Sequence, residues 1–313
     1  MDFLQEAILK TLAYADIFAY PLNSEELYRF LIANSPPSFS SFKEVLKQME
    51  AEGKPACIAR QSFAGGQIEA EKGFYFLKKR NELVALRRKR EKWSQAKIKI
   101  AQQVSQWFKL IPWVRMVGIT GALAMANCQE KDDIDLLIIT SPNRLWLSRL
   151  LVTFLTELLG KRRRPNDRRF KNKICLNAFW EENSLALPEE ERDLFTAHEV
   201  GQVRLVWERN DTFKKFLWEN RWAKEYLPNG LDTKILGYDD IKRKREKSPN
   251  IPISQYLNII LDFLEKLAYK SQLWYMRQKR TVEKIEPSRA FFHPGDCRER
   301  VLKEYNKRIN KLC

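Results

Sequence analysis

Val114–Thr140, VRMVGITGALAMANCQEKDDIDLLIIT, is the stretch on which the fold turns. Two apolar, β-branched runs flank a segment of small residues, and the second run opens with Asp133 and Asp135 one residue apart. Successive side chains of a strand point to opposite faces, so residues i and i+2 share one. Both carboxylates therefore face the same way. Two like charges held that close raise each other's pKa and cost stability unless a cation lies between them. A pair of carboxylates suits Mg²⁺, a hard ion that takes oxygen ligands and completes its shell with water and phosphate. Gly121 closes the first run, and Ala122–Asn127 reads as a short helix whose free N–H groups would face an anion.

Strand, glycine, short helix, then Asp133-Ile134-Asp135 on the next strand resembles the motif of the DNA polymerase beta-like nucleotidyltransferase superfamily, over roughly the middle third of the chain. The resemblance implies a nucleoside triphosphate as partner, Mg²⁺ as cofactor, and Asp133 and Asp135 as catalytic metal ligands. It also implies a phosphate seat at Gly121 and Ala122. Two positions depart from the family pattern. Ala122 stands where the family has Ser, so the backbone alone would hold the phosphate. The family's third carboxylate falls in the run Lys173–Trp180, where the polar residue is Asn177. Its amide oxygen can join a metal shell but cannot act as a base. Glu181 and Glu182 follow directly. Arg144 and Arg149, charged members of the apolar helix expected between Pro142 and Gly160, are candidate triphosphate ligands because a planar guanidinium engages two oxygens at once.

With 313 residues and 44% hydrophobic content the chain can build two or three packed units. Its 56 Lys and Arg against 40 Asp and Glu, a net charge of +16, favour polyanionic partners by long-range steering. The densest run is KRRRPNDRRFKNK, residues 161–173, a loop that could grip RNA or another acidic acceptor. Five scattered cysteines with no Cys-x-x-Cys pair suggest a reduced, cytoplasmic setting. The first fifteen residues carry charges at helical spacing rather than a signal-peptide pattern. The most apolar helix, Leu145–Leu159, is short for a membrane span and contains Arg149 and Glu157, so it reads as a core helix with no membrane partner. His198 and His293 are far apart and no Cys or His sits at ligand spacing, which speaks against zinc.

The expected fold class is α+β: a small mixed nucleotidyltransferase sheet with helices, preceded by a winged-helix-like module and followed by a helical region. Residues 1–80 form the first module, with helices over Phe3–Ile17, from Ser24, and from Ser40 to Gly53, then strands around Cys57–Phe63 and Phe74–Leu77. By element order this part resembles a winged helix-turn-helix. The outward residues of its third helix, Lys43, Glu44, Lys47, Gln48 and Glu50, mix signs, which favours protein contact over reading DNA. Residues 81–110 lie in one long helix spanning Lys78–Leu110, whose Arg and Lys residues read as a solvated face. Residues 111–230 make the nucleotidyltransferase-like domain, and 231–313 the helical C-terminal region. The expected activity is transfer of a nucleoside monophosphate to an acceptor hydroxyl. The alternatives are a nucleotidyltransferase-fold protein that binds or regulates without catalysis, and a winged-helix DNA-binding regulator.

Overall fold

The computed structural model describes residues 2–52, 67–164, 167–231, 255–277, 284–292 and 297–312. The chain is a mixed α+β protein with two open sheets among these residues.

Helix α1 (Phe3–Ile17) starts at a capping box between Asp2 and Gln5. After the short strand β1 (Leu22–Asn23), helix α2 (Ser24–Arg29) starts at a second box, where Asn23 accepts from the Glu26 N–H and Glu26 accepts from the Asn23 N–H. Helix α3 (Phe39–Glu52) buries Phe42, Leu46 and Met49. Strands β2 (Ile68–Glu71) and β3 (Phe74–Leu77) form a hairpin. Lys72 and Gly73 both have positive φ at its tip, as a two-residue hairpin turn requires. β1 joins the other edge of β3, giving the order β1-β3-β2. The partner of Phe74–Leu77 is thus Ile68–Glu71, while the expected strand at Cys57–Phe63 lies outside the described residues.

Helix α4 (Glu82–Phe108) corrects one expectation. Its basic residues are not simply a solvated face: Arg87 and Lys97 are buried. Arg87 donates to Glu26, Glu91 and the Pro21 carbonyl, and lies 4.0 Å from the Tyr20 ring centroid. Arg90 donates to the Phe18 and Ala19 carbonyls and to Asn127. These cations tie the N-terminal region to the rest of the chain.

Next come strand β4 (Val114–Ile119), the one-turn helix α5 (Gly121–Ala124), strand β5 (Ile134–Thr140), helix α6 (Leu145–Leu158) and strand β6 (Ile174–Glu181). Helix α7 (Leu194–Gln202), strand β7 (Arg204–Glu208) and helix α8 (Thr212–Glu219) follow. Helix α9 (Gln255–Arg277), the two short strands β8 (Lys284–Ile285) and β9 (Arg289–Phe291), and helix α10 (Cys297–Leu312) complete the described chain. The large sheet has the order β7-β4-β5-β6-β9-β8. β5 and β6 are parallel, joined by the α6 crossover, and every other pair is antiparallel.

β5 shows how the sequence divides the two faces. Ile134, Leu136 and Ile138 enter one core with α4, α6 and α9, whereas Leu137 and Ile139 enter another with α7, α8 and Trp222. Asp135, in phase with Leu137, belongs to the α7 side. Two departures follow. β7 adds an edge strand for which the sequence pattern predicts no element, and residues 231–313 contribute β8 and β9 to the sheet instead of forming a helical region apart. α10 also reaches back to α1, where Arg308 pairs with Asp16 at 3.1 Å.

Nor is α6 enclosed as a core helix. Val152 and Trp146 are buried, but Leu150, Phe154 and Leu158, at i, i+4 and i+8, face outward. The outer face of α9 is more apolar still, with Tyr256 81%, Ile259 66%, Phe263 65% and Trp274 74% exposed. No described helix is long and apolar enough to cross a membrane.

Candidate metal centre

The strand pairing brings together what the sequence separates. Asp133 and Asp135 stand at the N-terminal end of β5, and Cys175 lies opposite Asp135 in the parallel β6 register. One ligand atom from each lies within 4.8 Å of the other two. Thr120, at the C-terminal end of β4, donates its N–H to the Asp135 carbonyl at 3.1 Å. Gly121 then turns with φ +63°, and a Cβ there would stand 3.3 Å from Asp135 Oδ2. A side chain at Gly121 would therefore be strained in backbone and crowd the carboxylate. α5 runs only from Gly121 to Ala124, shorter than the expected Ala122–Asn127.

Among the described residues, three polar atoms on or next to adjacent strands are buried without a hydrogen-bond partner: Thr120 Oγ1, Asp135 Oδ1 and Asn177 Oδ1. Such atoms cost about 1–3 kcal/mol each when left unpaired, so their gathering at one end of one sheet marks a place built for something. Burial, with the neighbouring Asp133 charge second, pushes the Asp135 carboxyl up to about 7. Burial and the two aspartates push the Cys175 thiol well above its ordinary range. The donor set of two carboxylates fits a divalent cation.

A cation from the chain itself already reaches this set. Arg163 Nη1 donates to Asp133 Oδ2 and approaches Cys175 Sγ at 3.9 Å. Its position follows from topology: the α6 crossover returns the chain to the start of β6, beside the start of β5. Phe170 stacks under the guanidinium at 4.9 Å. Much of the 161–173 run is similarly engaged, with Arg162 and Arg164 on Glu157, Lys171 on Glu130 and Lys173 on the Gly160 carbonyl.

Lys97 supports the turn before Asp133. From α4 its Nζ donates to the carbonyls of Glu130 and Asp132 at 3.0 and 2.6 Å and to Asn172 Oδ1 at 2.9 Å. Glu199, on α7 over the same sheet face, raises the Asp135 pKa by its charge, and burial pushes its own carboxyl up to about 7. Sequence reasoning missed Lys97, Arg163, Cys175 and Glu199 as members of one site, because no local spacing links them.

The remaining expected residues lie elsewhere. Arg144 follows the far end of β5, where it pairs with Asp262 at 2.6 Å. Arg149 donates to Gln272 and lies 4.1 Å from the Phe292 ring centroid. Neither guanidinium bonds to the aspartates. Asn177 follows Cys175 by two residues, next to the irregularity in the β5–β6 register. Glu181 is buried near the backbone N–H groups of Asn143, Arg144 and Leu145 at the start of α6, and burial raises its pKa, while Glu182 pairs with Lys215 at 2.5 Å. His198 is buried against the Tyr14 ring at 3.9 Å, with Nδ1 on Gln202, and His293 lies outside the described residues. Set against protein-family models, curated proteins and solved structures, the chain matches none of them.

Proposed function

We propose that the chain is a metal-dependent nucleotidyltransferase that moves a nucleoside monophosphate from a triphosphate to an acceptor hydroxyl. The observation that carries this reading is the apposition of the Gly121 turn to the Asp133–Asp135 pair on one sheet face. A divalent cation held by the two aspartates would neutralise the triphosphate and stabilise the attacking and leaving oxygens. Gly121, bare of Cβ, keeps the turn's backbone open to a phosphate oxygen without a side chain crowding the Asp135 carboxylate. As the O–P bond to the acceptor forms, pyrophosphate leaves and the hydroxyl proton passes to solvent. The net charge of +16 suits a polyanionic acceptor, as RNA is.

The test is a screen of ATP, GTP, CTP and UTP with Mg²⁺, Mn²⁺, Co²⁺ or Zn²⁺, reading both binding and pyrophosphate release. Binding strengthened by metal, with turnover lost in Asp133→Asn and Asp135→Asn, is the expected result. Failure of all four nucleotides with every metal would sink the reading.

The Arg163–Asp133 pair favours a second reading, in which the domain binds or regulates without catalysis and the guanidinium permanently replaces the metal. Arg163→Ala separates the two: it raises metal affinity if a cation belongs there, and destabilises without any gain in metal binding if it does not. For a winged-helix DNA reader the element order of the first module is the support, and the mixed charges of α3, with Lys43 lying over the Phe39 ring at 4.6 Å, are its weakness.

A further inference from the structure

Two carboxylates alone would select a hard cation, but the third group within reach is sulfur. Mg²⁺ takes oxygen ligands and has little affinity for a thiolate, whereas Zn²⁺ and Co²⁺ accept carboxylate and thiolate together. Cys175 is not placed by accident of a mobile side chain. It occupies the register position beside Asp135 in the centre of the sheet, and its Sγ lies within 4.8 Å of the ligand oxygens of both aspartates. Among the described residues Asp135 Oδ1 is buried with no hydrogen-bond partner, so one ligand atom of the set is unpaired.

We propose that Asp133, Asp135 and the Cys175 thiolate bind a thiophilic divalent cation of the Zn²⁺ and Co²⁺ class, in preference to Mg²⁺, and that Arg163 is its built-in competitor. This rests on reading the face as the metal site of nucleotidyl transfer, and it changes the metal expected there. Three protein ligands leave at least one position of a tetrahedral shell for water or a substrate oxygen, as in catalytic sites of this metal class. On ligation the thiol gives its proton to solvent, and the Cys175 sulfur bonds the metal as thiolate. Arg163 supplies positive charge to Asp133 in the metal-free protein and has to swing away when the ion enters.

The full-length protein is freed of metal with a chelator and titrated with Co²⁺, with no nucleotide present. The expected result is one equivalent bound, with a near-ultraviolet thiolate-to-cobalt charge-transfer band. Zn²⁺ should displace the Co²⁺, and a large excess of Mg²⁺ should not. Cys175→Ser should lose the band while keeping the wild-type circular dichroism, although Cys57, Cys128, Cys297 and Cys313 remain. Arg163→Ala should tighten Co²⁺ binding several-fold. Cys175→Asp, which replaces sulfur by oxygen, should lose the band and gain affinity for Mg²⁺, so the inference stays open to test even if the serine variant fails to fold. Absence of the band in the wild type, its survival in Cys175→Ser, or displacement of Co²⁺ by Mg²⁺ at comparable concentration would each overturn the inference. Turnover of a nucleotide with Mg²⁺ alone and no cobalt band would leave the nucleotidyltransferase reading intact and end this one. A cobalt band with no nucleotide bound or consumed would do the reverse.

Discussion

His198 and Asp135 respond to acid in opposite senses. Burial against Tyr14 pulls the His198 pKa from 6.5 down to about 3, so between those values the unfolded chain binds a proton that the folded chain refuses. The stability this neutral ring allows is present above pH 6.5 and is lost as pH falls toward 3. His198→Phe keeps the stacked ring, and its urea midpoint should fall less than that of the wild type between pH 7 and pH 4. Asp135 is raised, from 3.8 to about 7, so its folded form holds a proton that the unfolded form has shed. Stability here is fully present below pH 3.8 and declines as pH rises through 7. In the metal-free protein, Asp135→Asn should therefore gain about 1–3 kcal/mol at pH 8, and that gain should shrink toward pH 4. A constant difference across this range would show that the carboxylate is ionised throughout. The same substitution should abolish metal binding, a combination of gained stability and lost function typical of residues kept for chemistry.

Helix α4 is the element that places the site. Lys97→Met keeps the stem but leaves the Glu130 and Asp132 carbonyls and Asn172 Oδ1 without their shared donor. Chemical denaturation should report a loss of about 2–3 kcal/mol, and metal affinity should fall because the turn carrying Asp133 loses its anchor. Unchanged stability would mean that water replaces the ammonium. This dependence also shows how far the sequence could be read. The two apolar, β-branched runs at Val114–Ile119 and Ile134–Thr140, the glycine between them and the two aspartates were legible because they are local and continuous. β7 was not, since Arg204–Glu208 is five residues at a sheet edge, two of them charged, with too few turns of any period to separate it from its helical surroundings. Cys175 was hidden for a different reason. Its partner is 40 residues away in sequence, and only the parallel register of β5 and β6 makes them neighbours. The basic residues of α4 misled because composition records charge but not burial, and Arg87 and Lys97 spend theirs on carbonyls and carboxylates inside the fold.

At the scale of the molecule, the N-terminal region is not an appendage on a linker. Tyr14 and Phe30 share a core with β5, β6 and α7, Tyr20 donates to the Met125 carbonyl at 2.8 Å, and Asp16 receives both Arg80 and Arg308. Calorimetry of the full chain should therefore show one cooperative transition. Removing residues 1–80 should leave Arg87 buried without Glu26 and yield a poorly folded remainder; two separable transitions would contradict this. The outward face of α9 has a consequence of another kind. Tyr256, Ile260, Phe263, Leu267 and Trp274 lie along one side of that helix, each more than half exposed among the described residues, a contiguous apolar stripe. The protein should behave as a surfactant, retained on a phenyl matrix more strongly as ammonium sulfate is raised and collecting at an air–water boundary. Phe263→Glu with Leu267→Lys should release it early from such a column while moving its unfolding free energy by less than about 0.5 kcal/mol. The same helix that braces the sheet from behind thus governs how the molecule wets, spreads and survives dilution, properties set by the face it turns away from the sheet.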